Sequence, residues 1–220
     1  MLYLYAITER SELPDAAGLR GGSLRAIGGG DLVAVVSELG DSRIEAGEDD
    51  LWTHEAVVES LMGTAVLPMR FGSSVPNEEA ALALLRERRQ EFREAMDRVR
   101  GKVELGVRAV ARSAAAPQSA SAGNAGPGTT YMLARLEEER RGAKAAARIH
   151  EPLAAIARET TRRPSSASGG MLSAAYLVDR ERVDSFRARV EELGEEIDGA
   201  AVVCTGPWPP YSFTSFGGDE

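Results

Sequence analysis

Between Val202 and Phe213 the chain reads Val-Val-Cys-Thr-Gly-Pro-Trp-Pro-Pro-Tyr-Ser-Phe, and no other stretch limits its own conformation so tightly. Proline fixes φ and carries no N–H, so residues 207 to 210 are expected to run extended, close to polyproline II, outside any sheet ladder or helix. Three of the chain's twelve aromatic residues, Trp208, Tyr211 and Phe213, fall within six positions. A stiff, unpaired segment becomes ordered only by packing such rings. Each buries about 150–250 Å², at about 25 cal/mol per Å², which outweighs the ordering of a segment already stiffened by proline. The expectation is a tail whose Trp208, Tyr211 and Phe213 fold back across the protein itself. Pro207-Trp-Pro-Pro210 has PxxP spacing but lacks the neighbouring basic residue of a proline-motif ligand.

The 220 residues are 43% hydrophobic, enough for a real core in one or two domains. The net charge of −8 divides as 14 basic against 19 acidic residues up to Arg112 and 12 against 15 beyond it. Neither half is a basic module, which argues against a nucleic-acid partner. No apolar run reaches the length of a membrane span and the N-terminus does not read as a signal peptide, so a cytoplasmic protein without membrane partners is expected. Cys204 is the single cysteine, which excludes an intramolecular disulfide; inside an apolar strand it reads as a small core residue. One cysteine and two histidines are too few soft ligands for zinc.

Read in order, residues 2 to 7 alternate as a strand, and glycines 21, 22, 28, 29 and 30 punctuate the way to a second strand at 32–36. No Gly-Lys-Ser/Thr or GxGxxG follows those glycines, so they predict a hairpin turn, not a phosphate loop. A helix is expected over 50–62, with Trp52, Ala56, Val57 and Leu61 on its apolar side. Val66 to Gly72 reads as a short strand that Pro68 places at an edge or a bulge, with Arg70 opposite Leu67, Met69 and Phe71. Asn77 then caps a helical stripe of Leu82, Leu85, Phe92, Met96 and Val99. From Lys102 to Val110 alternation is strict, with Val103, Leu105, Val107 and Ala109 inward and Glu104 and Arg108 opposite. A partly buried ion pair between Arg70 and Glu104, on paired strands, is expected, because a charge near a covered sheet needs a partner.

Residues 113–130 hold only uncharged small or polar types apart from alanine and proline, and read as a flexible linker between a domain at 1–112 and one at 131–220. Beyond it, a helix is expected to about Thr160, with Leu133, Leu136, Ala143, Ile149, Leu153 and Ile156 inward and Pro152 kinking or dividing it. A loop at 162–170, a strand at 172–178, a helix from Val183 to Leu193 and a strand at 200–205 follow. Strand, helix, strand suggests a two-layer α+β sandwich.

No Gly-x-Ser-x-Gly, HExxH, Walker lysine or paired-cysteine motif is present, and His54 and His150 read as ordinary helix residues. The weight falls on a binding or assembly protein. Four stretches together resemble the gas vesicle protein F and L family: Leu2-Tyr-Leu-Tyr-Ala-Ile7, Val66-Leu-Pro-Met-Arg-Phe-Gly72, Gly101-Lys-Val-Glu-Leu-Gly-Val107 and Thr205-Gly-Pro-Trp-Pro-Pro-Tyr-Ser-Phe213. The resemblance implies an α+β protein of two domains, each a small mixed or antiparallel sheet with helices, the C-terminal one a modified ferredoxin-like sandwich. It further implies no catalysis and no cofactor, a role in gas vesicle assembly, and binding to the small hydrophobic shell protein, with other accessory proteins as further partners. On that reading Arg70, Phe71, Glu104, Pro207, Trp208, Pro209, Pro210, Tyr211 and Phe213 are structural or interaction residues. The rival from another class is a small-molecule enzyme or sensor on a ferredoxin-like scaffold. A polar pocket at His54 or Arg70 would favour it.

Overall fold

The computed structural model describes residues 1–9, 12–28, 30–39, 47–111, 127–163 and 170–214. The fold is mixed α+β with two sheets. Its backbone divides into two compact units, Met1–Glu104 together with Pro207–Glu220, and Leu105–Gly206.

In the first unit β1 (Leu2–Thr8) is the central strand. It pairs with β3 (Val33–Glu38) on one side and with β4 (Val66–Pro68) and β5 (Ser74–Val75) on the other, and β2 (Leu24–Gly28) lies outside β3. All seven β1 residues are buried, as a strand covered on both faces requires. Leu2, Leu4 and Ile7 enter a core with Ile27, Ala34, Val36, Phe92 and Met96. A register shift between Leu4 and Ala6 brings Ile7 to the face of Leu4. Tyr3 and Tyr5 turn the other way, towards α1 (Glu48–Ser60). The glycine-marked connection holds a strand that the sequence reading did not expect, β2, and the hairpin forms between β2 and β3, with Gly28 opposite Val33. A Cβ on Gly28 would stand 2.4 Å from the Leu32 carbonyl oxygen, so that end of the hairpin needs glycine.

Two expectations change here. Trp52 lies open to solvent, its indole N–H donating to Glu48, while His54, Val57 and Val58 form the buried side of α1. The strand expected at Val66–Gly72 ends at Pro68, whose missing N–H suits an edge, and the chain leaves the sheet through a turn with Gly72 at φ 91°. The stripe after Asn77 forms as two helices, α2 (Glu78–Glu87) and α3 (Arg89–Val99), separated where Arg88 departs from helical angles (φ −104°, ψ 18°). Asn77 caps α2 as expected, its side-chain oxygen accepting from Ala80 N at 2.9 Å. Replacing Asn77 with alanine is expected to cost about 1 kcal/mol in a denaturant titration.

After α3, β6 (Lys102–Ala111), α4 (Pro127–Ile156), β7 (Glu159–Arg162), β8 (Gly170–Asp179), α5 (Val183–Glu196) and β9 (Ala200–Trp208) follow one another; the second unit takes in all of them except residues 102–104 of β6 and 207–208 of β9. The sheet order is β7-β8-β6-β9. Leu105, Val107 and Ala109 pack with Ile149, Leu153, Tyr176, Phe186, Val190 and Leu193 into one core. The strict alternation of β6 therefore reports its inward face correctly.

Several sequence expectations are corrected in this unit. β6 lies between β8 and β9 while β4, which ends two residues before Arg70, lies beside β1, so the strand pairing expected between them does not form. The division falls at Glu104/Leu105 rather than at residue 112, and the tail from Pro207 belongs to the first unit rather than the second. Helix α4 begins at Pro127, inside the segment read as a linker, and residues 113–126 lie outside the described ones. Pro152 sits within α4 without dividing it. The early part of that helix is not a core side: Leu133 is 53% exposed, Leu136 46%, and among its described side chains Ala146 is the first buried one. β7 replaces the expected helix end and loop, because β-branched Thr160 and Thr161 pair with Tyr176 and Ala175 of β8. β9 extends through Pro207 to Trp208, which a proline can join because β9 is an edge strand. Among the described residues no helix is long and apolar enough to cross a membrane.

Candidate functional site

The first unit gathers its polar chemistry around one imidazole. Tyr3 and Tyr5 reach the α1 face of the sheet, and His54, one and a half turns into α1, arrives among them fully buried. The Tyr5 ring stacks on it at 5.8 Å between centroids, and Phe71 meets it edge-on at 5.8 Å. Tyr3 Oη lies 2.8 Å from His54 Nδ1, and Tyr211 Oη lies 3.1 Å from Nε2. The Gly72 N–H donates to Tyr3 Oη at 3.2 Å. Each phenol thus bonds one ring nitrogen of His54, and which partner donates follows the imidazole tautomer.

Electrostatics keep the imidazole neutral at pH 7. Burial pushes His54 down to about 4, against the opposing pull of the Met69 backbone. Burial likewise raises Tyr3 to about 12 and raises Tyr211, and it raises the half-buried Glu55. Beside these bonds a second set runs from Leu19 N–H to Tyr5 Oη at 2.6 Å and from Tyr5 to Ser37 Oγ at 2.9 Å. Gly18 is what admits the phenol, since a Cβ there would lie 2.7 Å from Tyr5 Oη.

The tail closes over this cluster. Pro209, Pro210, Phe213 and Thr214 are buried. The Ser212 N–H and Oγ–H both donate to the Glu104 carboxylate, at 2.8 and 2.7 Å, and Arg98 donates to the Phe213 carbonyl at 3.3 Å. Glu104, 7% exposed, thus binds the tail segment directly. The imidazole is engaged at both nitrogens and has no exposed face, so the arrangement fixes a segment of chain in place. Among the described residues no group of three or more His, Cys, Asp or Glu side chains is placed to hold a metal ion. Open grooves of about 370 and 620 Å³ lie along residues 13–24, the larger one reaching Asp49 and Asp50 of α1.

The family model described as gas vesicle synthesis protein GvpL/GvpF matches residues 1–215. This chain belongs to the GvpL/GvpF family. Among its relatives, gas vesicle protein L of Streptomyces sp. (strain CB03234) is 32% identical over 99% of this chain and 94% of its own length. Gas vesicle protein F of the same strain is 33% identical over 96% and 98%. Gas vesicle protein F1 of Halobacterium salinarum is 26% identical over 96% and 92%. In fold, the chain is similar to the crystal structure of GvpF from Anabaena sp. PCC7120, at TM-score 0.83 and 20% identity over 99% of both chains. GvpF from Microcystis aeruginosa follows at TM-score 0.79 and 20% identity over 98% of this chain and 99% of that one.

Of the residues singled out from the family resemblance, Phe71 and Tyr211 meet on His54, and Glu104 takes Ser212. Pro209, Pro210 and Phe213 are buried, whereas Pro207 and Trp208 are exposed, Trp208 at 47%. The expectation that Trp208 folds inward is therefore corrected: it ends edge strand β9, and burial starts only at Pro209. Arg70 stands exposed in the turn after β4. Sequence reading missed Tyr3, His54, Arg98 and Ser212. The alternation of Tyr3 and Tyr5 on one strand face was the available signal, since two phenols sharing a buried face need polar partners there.

Proposed function

We propose that this member of the GvpL/GvpF family is an accessory factor of gas vesicle assembly that binds the small hydrophobic shell protein and works in the cytoplasm at the vesicle. The observation that carries the reading is the bare start of α4, where Tyr131, Met132, Leu133 and Leu136 are all exposed on one helix. A shell subunit apolar enough to exclude water aggregates before assembly, and an acidic partner with an open apolar helix can hold it. The order β7-β8-β6-β9, reached by strand, helix, two strands, helix and strand, supports reading the second unit as a modified ferredoxin-like sandwich.

Hydrophobic burial supplies most of the affinity on this account, and charge mainly sets the encounter rate. Purified chain used as bait is expected to capture the shell protein, and to keep it in about 0.5 M salt, where the Debye length is about 4–5 Å. Changing Leu133 and Leu136 together to glutamate is expected to abolish capture while leaving the melting temperature within a few degrees, since neither side chain is buried. Capture that disappears in salt, or survives the double substitution, counts against the apolar helix.

A further inference from the structure

The bonds holding residues 209–214 make up a small recognition groove. Its floor is His54 and Phe71, its carboxylate is Glu104, and Arg98 supplies a donor for a main-chain carbonyl. Glu104 takes two donors from a single serine, the N–H and the hydroxyl, which fixes the register of the bound segment. Tyr211 enters phenol first, and Phe213 goes in two residues later at 3% exposure. This is side-chain and main-chain readout of the sequence Pro-Pro-Tyr-Ser-Phe by a surface that the rest of the first unit provides.

We propose that this groove is a peptide-recognition site, and that residues 209–214 of a second copy of this chain can occupy it in place of the chain's own. The occupant is argued from fit: the segment it accepts is present once in every copy, so each copy carries one groove and one ligand. Reciprocal exchange then closes as a symmetric pair and leaves no unfilled groove. In the single copy the segment is an intramolecular ligand and keeps the groove shut at low concentration.

The test adds a fluorescent peptide spanning Gly206–Thr214 to the full-length chain and to its Phe213→Ala variant, whose groove is intact but whose own segment competes poorly. Binding to the variant is expected to be at least about tenfold tighter than to the unaltered chain, and a peptide carrying the same Phe→Ala change is expected not to bind. If the variant melts too readily for direct titration, excess peptide is expected to raise its melting temperature. A folded variant that ignores the peptide, or a melting temperature that the peptide does not move, overturns the groove. The second arm mixes Phe213→Ala chain with Glu104→Ala chain, a good groove with a good segment. A one-to-one complex by light scattering is expected; monomers alone in that mixture overturn exchange between copies.

Discussion

Replacing Phe213 with alanine lowers stability by about 3–5 kcal/mol, the range for emptying a buried aromatic site, while Trp208→Ala changes it by less than about 1 kcal/mol, as expected of an exposed position. The two side chains lie five residues apart in one rigid segment, and composition alone treats them alike. Their surroundings do not. Phe213 is 3% exposed and closes the tail over the first unit, whereas Trp208 is 47% exposed at the end of an edge strand. At about 2–4 °C per kcal/mol the Phe213 variant should melt on the order of 10 °C lower. Thermal melts of the two single variants, run side by side, decide the matter. Equal losses would mean that the whole Pro-Trp-Pro-Pro-Tyr segment locks as one block, and a larger loss at Trp208 would reverse the assignment.

What could be read from the sequence followed from period and capping. The strict alternation of Val103, Leu105, Val107 and Ala109, the Asn77 cap and the glycine-marked hairpin all appear where local chemistry puts them, because each is decided by neighbours a few residues away. The folding back of the tail was legible for a similar reason, from prolines and clustered rings. Which ring goes inside was not, since that depends on the sheet edge that β9 becomes. The first half of α4 misled for the same cause: leucines at helical spacing predict a core side only if something covers them, and Leu133 and Leu136 are open. His54 shows the limit most clearly. Its helix context is unremarkable, and its role comes from Tyr3, Phe71 and Tyr211, which lie from 17 to 157 positions away in the chain and share one buried site. Glu104 was correctly marked as a charge that burial obliges to find partners, but two of those partners, the N–H and the hydroxyl of Ser212, lie 108 residues further on.

Acidification from pH 7 to pH 4 is expected to remove about 3 kcal/mol of stability through His54 alone. The group's ordinary value is 6.5 and its buried value about 4, so between those limits the unfolded chain binds the proton and the folded chain does not. Stability from this source is fully present above about pH 6.5, falls as pH drops towards 4, and is flat below that. At about 1.4 kcal/mol per pH unit the 2.5-unit gap gives the stated size. The structural cause is the burial of the ring, which penalises the charged form more than the hydrogen bond to the Met69 backbone favours it. The groups around the ring are Tyr3, Tyr5, Phe71, Tyr211 and the Met69 backbone. Glu55 works in the opposite sense, because its carboxyl is raised by burial and its protonation favours the folded state as pH falls. The comparison therefore uses a His54→Gln variant that keeps Glu55 and every other carboxylate. Denaturant titrations of both chains at pH 7, 5.5 and 4 should show the unaltered chain losing about 3 kcal/mol more than the variant across that range, and parallel lines would mean that His54 takes up its proton equally in the folded and unfolded states.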